Sequence, residues 1–128
     1  MSHIRKHLQK EHFEDISSGR KTVECRLKKG DFASLQIGDN ITFHNDDGNE
    51  VVVSVLELIP YNSFEECLDE HLTSTLPRVS NKNEGVSIYL KPTGIYNKDD
   101  ENRYKIIAIR FVKIEGYLTP KIGKLRNF

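Results

Sequence analysis

A lysine, a glutamate and an arginine follow a glycine within eight residues, in the segment GRKTVECR. They are Gly19, Lys21, Glu24 and Arg26, with the spacing G-x-K-x-x-E-x-R. A carboxylate between an ammonium and a guanidinium can hold both cations in place or accept a proton from a substrate. The planar guanidinium also offers a fork that matches a phosphate or a base carbonyl. This segment is therefore the first candidate for a binding or catalytic site.

The strand that carries this segment has to bring the three side chains together. In KTVECRL apolar and polar positions alternate, which predicts a strand with Glu24 and Arg26 on one face. Lys21 has the opposite parity, so it joins them only where the chain turns into the strand, or through a bulge. Burial would then favour a neutral lysine that acts as base or nucleophile, whereas an anionic ligand would favour a charged one. The structural alternative is an ion pair of Glu24 with Arg26, a solvated Lys21 and a glycine that caps a helix.

Hydrophobic periodicity predicts strands and short helices around this segment. NITFH and EVVVSVLELI flank NDDGN, whose Asp-Gly pair favours a hairpin. Two further strands are predicted, in HIRKHLQ and YKIIAIRFVKI. The pattern also predicts a connector with one helical turn in GDFASLQIGD and a polar loop in NKDDENR. This order favours an α+β, mainly β, fold: a small, partly open β-barrel of five or six strands decorated with two or three short helices.

Capping signals mark the helices. KEHFEDISSG is predicted to be a short helix that ends at Gly19. SFEECLDEHL is the clearest helix, with Ser63 as its cap and Glu66 closing a capping box. The same pattern from Asn81 to Glu84 predicts a further helix.

The net charge of zero hides an uneven distribution. Residues 1–38 carry eight Lys or Arg and five acids, residues 39–76 carry nine acids and no Lys or Arg, and residues 77–128 carry eleven Lys or Arg and five acids. If the two basic parts converge, they form a positive face that attracts phosphates or another anion. The alternative is that these charges scatter and pair with the acidic middle.

Composition limits the remaining classes. A chain of 128 residues suits one domain, and its longest apolar run, VVVSVLELI, is too short to cross a bilayer. No segment resembles a signal peptide, so a cytoplasmic location is expected. Cys25 and Cys67 match no zinc spacing, which favours two free thiols over a disulfide. Without a phosphate-binding loop or a dinucleotide motif, no cofactor is expected.

Other side chains could contact a nucleic acid. Arg78 and Lys82 lie in a segment that could meet a phosphate, although a solvated loop is equally compatible. The five histidines fit no metal-ligand spacing, so no metal is expected, and a proton-shuttle role is left open for His12 or His71. Four tyrosines could stack on bases, although core packing is their commoner role: Tyr61, Tyr89, Tyr96 and Tyr104.

The segment and its neighbours resemble the ASCH domains, the family named for homology to activating signal cointegrator 1. The family has G-x-K-x-x-E-x-R after its first helix, a G-D-x-I-x-F strand that IGDNITF matches, and a Y-x-S-F helix start that PYNSFEECL resembles. IIAIRF resembles its last strand, and the likeness spans residues 3 to about 114. The resemblance implies a PUA-like barrel as one domain over residues 1–115, followed by a basic tail at 116–128.

The resemblance also implies a function. PUA-like barrels commonly cradle RNA, which implies a nucleic-acid-associated domain that binds RNA or a modified nucleoside in a cleft around the motif. Family members include amidohydrolases of acetylated cytidine that use a lysine, a threonine and a glutamate, and others resemble ribonucleases, so hydrolysis of the ligand is implied as well. Lys21 matches their lysine, but Glu24 replaces their threonine, which would change the mechanism. Their second carboxylate corresponds to Glu70, with Asp69 or Glu66 as alternatives.

The sequence thus yields two sets of candidate residues. The candidate catalytic residues are Lys21, Glu24 and Glu70. The candidate ligand-binding residues are Gly19, Arg20, Arg26, Arg78, Tyr61 and Tyr89. The expected partner is RNA or a nucleoside, without a membrane, and a monomer is expected. The alternative function is a non-catalytic protein-interaction module of the transcription-coactivator type.

Overall fold

The computed structural model describes residues 2–114, in which five strands form one sheet. The strands are β1 (His3–His7), β2 (Val23–Leu27), β3 (Asn40–His44), β4 (Glu50–Tyr61) and β5 (Ile106–Lys113). Their order is β1-β3-β4-β5-β2; β1 is parallel to β3, and all other neighbours are antiparallel. The sheet curls into a half-barrel, which confirms the predicted fold class. Since β1 and β2 are its two edges, the gap between them is the open side.

The long strand β4 joins the two halves of this sheet. Its first part pairs with β3 and its later part with β5, and the register shifts between Val55 and Glu57. A bulge of this kind bends a strand and increases its twist, so it helps the sheet to curl.

Apolar side chains cover both faces of the sheet, as the apolar run in β4 requires. Inside the curl, α1 packs Phe13 and Ile16 against Ile41, Phe43 and further residues of the sheet. The outer face carries a second cluster under the helices, with these members among others: Val23, Cys25, Phe64, Cys67, Leu68, Ile106 and Ala108. β2 therefore lies between a helical layer and the opening of the barrel.

Three helices form where the capping signals predict them: α1 (Lys10–Ser17), α2 (Phe64–Thr75) and α3 (Lys82–Tyr89). The Ser63 side chain accepts a hydrogen bond from the backbone N–H of Glu66, and the Asn81 side chain accepts one from that of Glu84. Gly19 ends the first helical segment with φ of +86°, a conformation that favours glycine. The helical turn predicted in the connector is a 3-10 helix over Gly30–Ser34.

A fourth helix, α4 (Lys98–Tyr104), occupies the segment predicted to be a polar loop, so that prediction is wrong. Asn97 caps it by accepting a hydrogen bond from the N–H of Asp100. The buried carboxylate of Glu101 accepts a hydrogen bond of 2.8 Å from the N–H of Phe64, at the start of α2. Tertiary contact, rather than an apolar stripe, thus stabilises this helix, and the described residues contain four α-helices instead of the expected two or three.

Two sequence predictions concern other parts of the chain. The basic tail at 116–128 lies outside the described residues. Within residues 2–114, no helix has the length and apolar character that crossing a membrane requires.

Candidate functional site

The chain turns from α1 into β2 through residues that bind both neighbouring helices. The backbone N–H of Lys21 donates to the carbonyl of Asp15, and that of Thr22 donates to the carbonyl of Ser74, each at 2.9 Å. Lys21 therefore lies just before β2, where the chain turns. This is one of the two arrangements that would let its side chain meet those of Glu24 and Arg26.

The three motif side chains do meet. Lys21 Nζ lies 3.0 Å from Glu24 Oε1, and Arg26 Nε donates to Glu24 Oε2 at 2.8 Å. Lys21 Nζ also donates to the main-chain carbonyl of Thr75 in α2, at 2.7 Å. Lys21 is 1% exposed and Glu24 4% exposed. The carboxylate therefore holds a buried ammonium with one oxygen and a partly exposed guanidinium with the other.

The two cations decide the ionisation of Glu24. Burial alone would raise the pKa of its carboxyl, but Lys21 and Arg26, through charge and hydrogen bonds, lower that pKa to about 2. The Arg26 pKa is raised in turn, because the Glu24 charge outweighs the effect of burial. Glu24 is therefore an ionised carboxylate at neutral pH, which is a state suited to positioning cations rather than to donating a proton.

A cavity of about 230 Å³ opens beside this ion cluster, between the edge strands β1 and β2. Glu24, Cys25 and Arg26 of β2 line one side of it. The other lining residues come from four places: the end of β1, the start of α1, the end of α3 and the loop that follows α3. They are His7, Leu8, Gln9, His12, Ile88, Tyr89, Ile95 and Tyr96. Lys21 is not among the lining residues, so it lies behind Glu24.

Arg26 has the exposure and the fixed geometry of a ligand-binding side chain. Its side chain is 22% exposed, and its guanidinium carbon lies 4.9 Å from the centre of the Phe32 ring. Among residues 2–114 its one side-chain hydrogen bond uses Nε, so the two terminal nitrogens remain for a ligand. A guanidinium that lies over a ring and is tethered at Nε in this way is already oriented before a ligand arrives.

Aromatic rings form the wall opposite the motif. Tyr89 stacks on Phe64 with ring centres 4.4 Å apart and planes within 6° of parallel. Tyr96 stacks on the same phenylalanine at 5.7 Å and 12°. Burial raises the pKa of Tyr89, so its hydroxyl remains protonated at neutral pH. Both rings can offer an apolar contact, and both hydroxyls can hydrogen-bond.

His12 adds a neutral imidazole to the cavity. Burial lowers its pKa, and so does the nearby charge of Lys21, whereas Glu24 and Asp15 act in the opposite direction. A neutral imidazole carries one donor and one acceptor. No spacing in the sequence distinguishes His12 as a binding residue among the five histidines. The sequence does hint at its location: His12 directly precedes the buried Phe13, so it lies beside the core-facing side of α1.

The other predicted site residues lie elsewhere. Arg20 donates to Asp15 Oδ1 at 3.0 Å, and Arg78 Nε lies 3.0 Å from Asp15 Oδ2, so both arginines bind one buried carboxylate. Arg78 also lines a cavity of about 250 Å³ that shares Gln9, His12 and Ile88 with the first. Gly19, the first residue of the motif, shapes the turn between α1 and β2.

Tyr61 and Glu70 are not brought to the motif cavity. The Tyr61 hydroxyl lies 2.8 Å from His71 Nε2, and burial together with the nearby Glu70 carboxylate raises the pKa of Tyr61 to about 12. Glu70 is exposed on α2. The structure therefore gathers Lys21, Glu24, Arg26 and Tyr89 at one place, but not these two.

Thr75 is a residue of this site that the sequence did not suggest. It is completely buried, and its hydroxyl has no hydrogen-bond partner among the described residues. Its main-chain carbonyl binds Lys21. No local pattern could have revealed it, because the two residues are 54 positions apart in the chain.

No group of three or more His, Cys, Asp or Glu side chains is arranged to hold a metal ion within residues 2–114. Cys25 and Cys67 are free thiols with their sulfur atoms 3.0 Å apart.

The curled five-stranded sheet, with the ionic motif at its open side, places the chain among the small half-barrel domains. The family model of the ASCH domain matches residues 7–115, and the chain belongs to this family. Its fold is generally associated with RNA binding.

Solved structures agree with this assignment. The crystal structure of hypothetical protein PH0355 is 32% identical, with a TM-score of 0.78 over 88% of this chain and 99% of that chain. The solution structure of PF0455 from Pyrococcus furiosus is 29% identical, with a TM-score of 0.70 over 88% and 98% of the two chains. The ASCH protein of Zymomonas mobilis shares the fold at 15% identity, with a TM-score of 0.59 over 97% and 79%. Curated proteins gave no match.

Proposed function

We propose that this ASCH domain binds one base of RNA, or a modified nucleoside, in the cavity between β1 and β2. The observation that carries the proposal is the state of Arg26. Glu24 binds its Nε, the Phe32 ring lies under its guanidinium carbon, and its terminal nitrogens have no hydrogen-bond partner in residues 2–114. A guanidinium in this state can donate a bidentate pair of hydrogen bonds to a base carbonyl and ring nitrogen, or to a phosphate.

The remaining walls suit a base better than a bare anion. Tyr89 and Tyr96 supply aromatic surface, and His12 supplies one donor and one acceptor. The volume of about 230 Å³ is below the range of about 300–1,000 Å³ that is common for drug-sized ligands. A single base or nucleoside is therefore the favoured size of ligand.

In this proposal the buried part of the motif positions the exposed part. Lys21 neutralises the carboxylate from behind, and Glu24 holds the guanidinium from beside it. Lys21 itself does not line the cavity. Binding, rather than attack by lysine, is the activity that this arrangement supports best.

Hydrolysis of the bound nucleoside is the second candidate, and Thr75 favours it. The amidohydrolases that the chain resembles use a lysine, a threonine and a glutamate. Lys21, Glu24 and Thr75 supply these three residue types here, with the glutamate on the strand and the threonine on the helix. The Thr75 hydroxyl is buried, so a substrate would reach it only after the wall of the cavity opens.

An NMR titration with nucleosides and short RNAs tests the proposal. Cytidine, N4-acetylcytidine, uridine, guanosine and adenosine are added in turn, and the amide signals of β2 and the Arg26 Nε–H signal are followed. At least one ligand should shift these signals in a saturable manner. The absence of any saturable shift with all nucleosides and RNAs would overturn the proposal and favour a protein-interaction module.

Arg26→Gln is the decisive variant, and Arg110→Gln is its matched control. Arg110 Nε also donates to a glutamate, Glu57, at 2.8 Å, but on the exposed face of β5, away from the cavity. Losing a hydrogen bond to a charged group costs about 1.5–3 kcal/mol, so Arg26→Gln should weaken binding about tenfold or more. Equal affinities of the two variants would contradict the role of Arg26.

A further inference from the structure

Four cations and a tyrosine come together where β2 ends. We call this surface the basic rim; it consists of Lys28, Lys29, Arg103, Tyr104 and Lys105. The pairing of β2 with β5 creates it, because Leu27 lies opposite Ile106 and the N–H of Lys28 donates to the carbonyl of Lys105 at 2.9 Å. Two of the basic segments of the chain therefore do converge in space at this point.

The cations of the basic rim form no ion pairs within the described part of the chain. All four are exposed, and none of them makes a salt bridge with any residue of the range 2–114. Some cations on other surfaces are paired, as Arg5 is with Glu50 and Lys82 with Asp69, whereas the rim gathers in one place four that are unpaired among the described residues. The rim therefore keeps a local positive field on a chain whose net charge is zero.

An aromatic ring lies at the centre of these charges. Lys29 Nζ is 4.9 Å and the Arg103 guanidinium carbon 5.3 Å from the centre of the half-buried Tyr104 ring. Tyr104 also lines, with Tyr61, Lys28 and Lys105, a cavity of about 460 Å³. Glu66 is the one carboxylate on that cavity wall, and its Oε1 accepts a hydrogen bond from the N–H of Asn62.

The backbone of Lys105 is a further sign that this surface has a use. Its φ of +61° and ψ of −177° lie in a region that is essentially restricted to glycine. A lysine at this position is strained where a glycine would not be. Strained residues persist only where the surrounding structure fixes them, and they cluster at functional sites; the side chain here adds a cation to the rim.

We propose that the basic rim binds the phosphates of a single-stranded RNA, with a base stacked against Tyr104 or Tyr61. Exposed cations interleaved with aromatic rings are the combination that single strands require, because every base has a face to stack and every linkage carries a charge. A duplex hides its base faces and would leave the tyrosines unused. The inference rests on the proposed function, since it makes the ligand of the motif cavity part of a strand.

The position of the rim relative to the cavity supports this extension. Arg26 lines the cavity and Lys28 belongs to the rim, and they are two residues apart, which is about 7 Å along a strand. A strand whose base enters the cavity can therefore place its neighbouring phosphates on the rim. A short oligonucleotide is accordingly a tighter ligand than a free nucleoside.

Binding of a fluorescein-labelled oligouridylate to the chain, followed by anisotropy at several NaCl concentrations, tests the inference. The variant Lys29→Gln/Arg103→Gln removes two rim cations, and Lys10→Gln/Lys91→Gln removes two exposed lysines elsewhere that also lack an ion pair in the described part of the chain. The rim variant should bind about tenfold more weakly at low salt. Its slope of log K against log salt should fall by about 0.7 for each phosphate that the variant no longer neutralises. Affinity and slope equal to those of the control would overturn the inference.

Lys105→Gly provides a second test, because it should change stability and RNA affinity in opposite directions. It should raise the thermal midpoint by relieving the backbone, and it should weaken RNA binding by removing a cation. A gain in stability without a loss of affinity would contradict a role for Lys105 in binding.

The two proposals fail in distinguishable ways. If nucleosides bind but oligouridylate binds no more tightly than uridine, the inference is wrong and the proposed function remains. If oligouridylate binds through the rim but no nucleoside shifts the Arg26 signals, the proposed function is wrong and the rim remains. Binding to phosphatidylserine vesicles without binding to RNA would overturn the inference in favour of a membrane surface.

Discussion

Lys21 Nζ lies 3.0 Å from Glu24 Oε1 at a point where both side chains are almost fully buried. A buried ammonium is costly unless it is paired and hydrogen-bonded, and here the carbonyl of Thr75 supplies the additional bond. Because Glu24 also binds Arg26, the same carboxylate links the interior of the protein to its open side. The stability of the fold and the geometry of the cavity therefore depend on one side chain.

Glu24→Gln should destabilise the fold strongly, because the amide leaves a buried lysine without its counter-charge. The expected loss is about 3–5 kcal/mol of the free energy of unfolding, measured by urea denaturation. Lys21→Met should cost less, because Glu24 keeps Arg26 as a partner. The control Glu57→Gln breaks the exposed pair with Arg110 and should cost about 1 kcal/mol or less. Similar losses for Glu24→Gln and Glu57→Gln would mean that the buried pair does not stabilise the fold.

Acid should unfold the protein partly through Glu24. Its pKa is lowered from 4.5 to about 2 in the folded state, so its stabilising effect is complete above pH 4.5. The effect is lost as the pH falls from there through about 2, and it amounts to about 3 kcal/mol. Urea denaturation at a series of pH values should therefore show a steep decrease in this window. In Glu24→Gln the decrease should be shallower; an unchanged slope would show that other carboxylates cause it.

Local patterns predicted much of the architecture because they report on one element at a time. Alternation in KTVECRL marked β2, and the capping residues Ser63 and Asn81 marked the starts of α2 and α3. The helix α4 was missed because it has no apolar stripe, and because its stabilising contact, from Glu101 to Phe64, joins residues 37 positions apart.

The candidate site was also predictable only where its contacts are local in sequence. The spacing on one strand suggested that Glu24 and Arg26 meet, but the contribution of Lys21 depended on the turn before β2. The walls of the cavity come from β1, α1 and α3, whose mutual positions no short motif encodes. Glu70 was expected because the family resemblance implies a carboxylate on this helix, and its exposed position follows from the helix phase, which turns it away from the buried Leu68.

The two cysteine thiols should resist alkylation in the folded protein. Cys25 and Cys67 are both 0% exposed, and burial, followed by the hydrogen bond with Cys67, raises the pKa of Cys25. Since the thiolate is the reactive form, iodoacetamide at pH 8 should label neither residue quickly, and should label both in urea. Mass spectrometry over time gives both rates. Fast labelling of the folded protein would mean that the layer between β2 and α2 opens frequently.

The imidazole of His12 should titrate below its ordinary pKa of 6.5, because burial and then the charge of Lys21 disfavour the protonated ring. The NMR signal of its ring hydrogen, followed against pH, gives the midpoint directly. Lys21→Met removes one of these causes, so the midpoint should rise in that variant. A His12 midpoint that stays the same in Lys21→Met would mean that the lysine charge does not reach the cavity.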